Sequence, residues 1–125
     1  MEDNDCKYVT KDGDLAMFRP AGTYTFEQAV DLIDRAIEYC RKRDISKLCV
    51  NITDVHGFPP PSAIQRFIFA TTWAQTAGGR ISLAMVAPQA MIDSDKIGVT
   101  IARNRGFDAE VFTDEETAVK WLTAR

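Results

Sequence analysis

A chain of 125 residues, 46% hydrophobic and 26% charged, reads as one soluble globular domain able to bury about two thirds of its unfolded surface. The formal net charge of −3 excludes a basic nucleic-acid footprint, and Cys6, Cys40 and Cys49 form no CxxC pair, which points to a reduced, cytoplasmic setting. No apolar run approaches the ~18 residues of a membrane span, and the acidic opening MEDNDCKYV is unlike a secretion signal.

Residues 7–10 and 15–20 read as a hairpin joined by Lys11-Asp12-Gly13-Asp14, since Asp-Gly in a short connection favours the turn. Thr25 with Gln28 forms a capping box that opens the first helix. Phe26, Val30, Ile33, Ile37 and Cys40 then recur at three- and four-residue steps, with Asp31, Asp34, Arg35, Glu38 and Arg41 on the wet side. Residues 47–53 form the next strand, with Leu48, Val50 and Ile52 alternating. A loop holding the sole histidine and three consecutive prolines leads into a second helix, from Ser62 to about Thr76, which Gly78 closes. Residues 81–87 are almost continuously apolar, the pattern of a central strand. Residues 93–105 read as a third helix despite Gly98, and 109–113 as a last strand. Thr113 with Glu116 forms a capping box for a final helix carrying Ala118, Trp121 and Leu122. Helix and strand alternate through the second half, which requires parallel strands with helical crossovers. The expected fold is a single α/β domain over residues 1–125, with helices packed on a mixed, mostly parallel sheet of about five strands in the order β-β-α-β-α-β-α-β-α.

Three phrases carry a family resemblance: VNITDVHG at 50–57, PPPSAIQRF at 59–67 and VFTDEETAVKWL at 111–122. In this order the chain, over residues 8–122, resembles the STAS superfamily of sulphate transporters and anti-sigma-factor antagonists. It is most similar to the SpoIIAA-like, or STAS/SEC14-like, branch. The resemblance implies a regulatory module without catalysis or cofactor. In the antagonists a partner kinase phosphorylates a serine at the start of this helix, and the matching residue is Ser62. Pro60 and Pro61 stand where those proteins carry an aspartate and often a further serine, and Ala63 and Ile64 replace the usual following glycine.

Adjacent parallel strands bring their carboxyl ends together, and ligands meet open α/β sheets at those ends. The candidate binding face therefore joins Asp54, His56, Phe58 and Ser62 to Gln89, Met91, Asp93 and Ser94. Ser62 reads first as a cap with Gln65 and second as a phosphorylation site, roles that are compatible at a helix N-terminus. Asp54 is expected to fix its loop by accepting backbone N–H bonds. His56 is expected to face water or bond backbone, and Asp93 with Asp95 to favour the helix dipole rather than hold a metal. In the second helix Ile64, Phe67, Ile68, Thr71 and Ala74 read as the core-facing stripe. Phe69 and Trp73 lie on another flank. Either one wide buried face absorbs them, or they form an interface for a partner or second copy.

Three functions follow in order. The first is a non-enzymatic regulatory or protein-binding module. The second, suggested by the SEC14 side of the resemblance, is a carrier of a small apolar ligand or lipid, which would need a cavity lined by Phe58, Phe67, Met85 and Met91. The third is a hydrolase using Ser62 and His56, although no GxSxG motif is present.

Overall fold

A computed structural model describes residues 9–125. Strands β1 (Val9–Asp12) and β2 (Leu15–Phe18) form an antiparallel hairpin in which Asp12 stands opposite Leu15. The turn is therefore Gly13-Asp14 alone, tighter than the connection expected from sequence; Cys6 and Lys7 lie outside the described residues. Then follow β3 (Gly22–Thr23), α1 (Phe26–Lys42), β4 (Lys47–Asn51), β5 (Val55–His56) and α2 (Ala63–Ala77). The chain closes with β6 (Ser82–Val86), α3 (Ile97–Asn104), β7 (Asp108–Phe112) and α4 (Glu115–Thr123). Among the described residues the fold is α/β, with four α-helices on a mixed, mostly parallel five-stranded sheet.

The sheet runs β1-β2-β4-β6-β7, and only β1 is antiparallel to its neighbour. Each crossover advances one place in the same direction. Right-handed crossovers that never reverse leave α1, α2 and α3 on one face of the sheet. Alternation along the strands sends Ala16, Phe18, Leu48, Val50, Leu83 and Ala109 to that face. Cys49, Ala84 and Val86 go to the other, where α4 covers them with Ala118 and Leu122. Burial pushes the Cys49 thiol up to about 12, so it stays protonated and unreactive.

Helix α1 keeps its expected capping box: Thr25 Oγ1 accepts from Gln28 N at 3.1 Å, and Gln28 Oε1 accepts from Thr25 N at 2.9 Å. Ile33, Ile37 and Cys40 are buried. Helix α2 departs from expectation. Ile64, Phe67 and Ile68 are 74%, 48% and 46% exposed, whereas Arg66, Ala70, Trp73, Ala74 and Ala77 are buried. The helix is apolar nearly all round, so periodicity alone does not select a face. The inward stripe is the one that admits small alanines against the sheet and packs the Trp73 indole against α1.

Helix α3 starts at Ile97 rather than Asp93, because Lys96 sits in the left-handed region at φ 48° and interrupts the helical run. Asp93 instead caps from outside, its Oδ2 accepting from Ile97 N at 3.0 Å. Gly98 lets α3 approach α2 closely: a Cβ there would lie 3.1 Å from Phe69 Cε1. The cap of α4 is Asp114, not Thr113; its carboxylate accepts from Thr117 N at 2.8 Å. Aspartate is the stronger cap, and these bonds hold its carboxyl below the usual range.

Glu115 ties α4 to the sheet. It accepts from Arg19 at 2.7 and 3.0 Å and from Asn51 Nδ2 at 2.7 Å. The Arg19 bond, opposed by partial burial and helped by Asn51, holds the Glu115 carboxyl below its ordinary value. A depressed folded pKa contributes stability above the unfolded value of about 4.3, and that stability is lost as pH falls through the folded pKa. Glu115→Gln should therefore lower the urea midpoint at neutral pH by the equivalent of about 1 kcal/mol at most, since Arg19 is half exposed. The difference from wild type should narrow between about pH 5 and pH 3. A gap that widens on acidification would contradict this assignment.

Candidate apolar binding cavity

Strands β4 and β6 are parallel neighbours, so the loops beyond Asn51 and Val86 emerge side by side. Asn51 braces the first loop, its Oδ1 accepting from Thr53 N at 2.9 Å. This corrects the expectation that the Asp54 side chain would do so. A second device was not expected from sequence. β3 and β5 pair as a separate two-stranded parallel clip, in which Gly22 N donates to Asp54 O at 3.0 Å and Tyr24 N to His56 O at 2.7 Å. Gly57 follows the clip at φ 116°, with Tyr24 O only 2.3 Å from where a Cβ would stand. The clip holds Phe58 over the start of α1.

From Phe58 a row of four rings descends into the protein. Phe58 meets Phe26 edge-on at 6.0 Å, Phe26 meets Phe69 at 6.3 Å, and Phe69 stacks on Trp73 at 4.6 Å. Trp73 Nε1 donates to Val30 O at 3.1 Å, which satisfies the one polar atom of that ring. These rings wall a cavity of about 120 Å³ between the sheet and the three helices. Leu83 and Met85 from β6, Val99 and Ala102 from α3, and Met91 and Ile92 at the mouth complete its lining.

Among the described residues the cations on this lining are Arg66 and Lys96, and Arg66 is the buried one. Arg66 is only 9% exposed; its Nη1 lies 3.2 Å from Asp93 Oδ1, and its Nη2 donates to Met91 O at 3.2 Å. The guanidinium thus fastens the 88–96 loop to α2 across the mouth. Lys96 stands at the rim and pairs with Glu110 at 3.5 Å.

Of the residues expected at the binding face, Phe58, Met91 and Asp93 converge on the cavity, joined by Met85. Asp54, His56, Ser62, Gln89 and Ser94 are exposed and stand outside its lining. Phe67, expected in the lining, faces outward with Ile64 and Ile68. Phe69 and Trp73 face inward and form cavity wall, so they are no exposed interface. Ser62 Oγ accepts from Gln65 N at 3.1 Å, and among the described residues no imidazole hydrogen-bonds to it. Sequence reasoning missed Arg66 and Phe26. Arg66 was legible only as the first member of the series 66, 70, 73, 77, whose remaining members are apolar.

The cavity lining is mostly apolar, and its charged residues are tied in two ion pairs, Arg66 with Asp93 and Lys96 with Glu110. No protein-family model matches this chain, and no curated protein matches it. No helix among the described residues is long and apolar enough to cross a membrane.

Proposed function

We propose that this chain is a binding module for a small apolar molecule of about one-ring size. The observation that carries the reading is the ring-walled cavity of about 120 Å³ at the carboxyl ends of β4 and β6. An enclosed apolar cavity of about 150 Å³ stays dry and takes up benzene, which sets the scale for a ligand here. A lipid with full-length acyl chains exceeds that space, so the carrier reading narrows to a compact ligand. Toluene followed by two-dimensional NMR tests it. Saturable shifts should centre on the Trp73 indole and the Met85 and Met91 methyls. Absence of saturable shifts up to the solubility of toluene would remove the reading.

A second reading, the STAS-type protein-binding module, is favoured by the outward patch of Ile64, Phe67 and Ile68 on the first turns of α2, beside the exposed cap Ser62. It needs no cavity, and toluene binding does not bear on it. Its own check is self-association or partner capture that Phe67→Ser abolishes while the thermal melt stays unchanged.

A further inference from the structure

We infer that the ligand is a monoanion, a one-ring apolar body bearing a carboxylate that Arg66 receives. This rests on the cavity reading and adds the polar half of the ligand. Among the described residues, four with charged side chains line the cavity: Arg66, Asp93, Lys96 and Glu110. They are not equivalent. Glu110 stands opposite Ala84, which belongs to the core under α4, so its side chain leaves on the far face and reaches round the β7 edge to Lys96 and Arg103. The Lys96 side chain is 47% exposed at the rim. The Arg66 side chain is 10% exposed against 24% for Asp93, so the cation is the more deeply buried member of their pair.

A cation buried in apolar surroundings is poorly solvated, and a single carboxylate only partly compensates it. That carboxylate is also engaged elsewhere, since Asp93 Oδ2 accepts from Ile97 N at 3.0 Å. Guanidinium presents five N–H donors in a planar fork that matches a carboxylate in two parallel bonds. A ligand carboxylate at Arg66 would give its N–H donors a second anionic acceptor beside Asp93, while its ring lies along Phe69 and Trp73. A neutral ring gains only the apolar contact. An ammonium would meet the positive end of the pair.

Three probes that share one ring test this: toluene, benzoate and benzylamine at neutral pH, titrated by two-dimensional NMR. Benzoate should bind at least about tenfold tighter than toluene, as expected for a hydrogen-bonded charge pair, and benzylamine weakest. In Arg66→Gln the ratio of benzoate to toluene affinity should fall to about one. Toluene binding as tightly as benzoate in the wild type would overturn the inference and leave the cavity reading standing. Failure of all three probes would overturn both. Should Arg66→Gln not fold, the wild-type guanidinium Nε–H resonances decide: benzoate must shift that of Arg66 and toluene must not, and an Arg66 resonance that ignores benzoate overturns the proposal.

Discussion

Trp73→Ala should lower the stability of the protein by about 3–5 kcal/mol, the range for truncating a buried aromatic side chain. The ring is 6% exposed, stacks on Phe69 at 4.6 Å and donates to Val30 O at 3.1 Å. Its removal therefore deletes packing on both α1 and α2 and leaves a carbonyl of α1 without that donor. Urea unfolding should show a lower midpoint with an unchanged slope. The vacated space merges with the cavity, so a two-ring probe such as naphthalene should bind the variant and not the wild type. A loss below about 1 kcal/mol would mean that the ring is not part of the core.

The second large effect is expected at Gly57. Alanine there carries a Cβ 2.3 Å from Tyr24 O, 2.9 Å from Tyr24 N and 3.0 Å from Thr23 Cγ2, at a φ of 116°. Backbone atoms cannot swing aside as a flexible side chain does, so the clip between β3 and β5 has to open. Strain at such a φ is of order 1–3 kcal/mol, and the lost clip bonds add to it. The Gly57→Ala melt should fall accordingly, and toluene affinity with it, because Phe58 loses its anchor over Phe26. Wild-type stability in Gly57→Ala would show that the loop has room to shift.

How much of this was legible in the chain depended on contrast between faces. Helix α1 was readable because Asp31, Arg35 and Glu38 mark its wet side against Ile33 and Ile37. Helix α2 lacked that contrast. Its one basic residue, Arg66, lies on the buried stripe, and three of its large apolar residues lie outside. Simple periodicity for that reason turned Ile64, Phe67 and Ile68 inward, although Ala74, read on the same stripe, is buried. The main strands were legible from alternation at 47–53, from continuous apolarity at 81–87 and from the Asp-Gly turn of the hairpin, whereas the two-residue β3 and β5 are too short to carry a period and exist only through pairing at a distance. Phe58, Met85 and Met91 were legible as cavity residues because the parallel order brings their loops and strand together. The four-ring wall was not, since its members come from residues 26, 58, 69 and 73. The STAS resemblance stays a proposal, carried by phrases of sequence alone.

The steady advance of the sheet, one strand per crossover, has a consequence for how the chain acquires its shape. No pairing in the main sheet joins the beginning of the described chain to its end. Each strand after the hairpin waits only for the crossover just before it, and closing a connection of that size costs little more than closing a shorter one. Topologies built from such near-neighbour pairings reach the native state quickly. During synthesis every β-α unit can add to an edge that is already complete. The exception is the face formed by Cys49, Ala84 and Val86, which stays open until residues 115–123 emerge and α4 folds back over it. The time the ribosome takes to deliver that helix therefore sets the interval in which this protein is most prone to sticking to its neighbours.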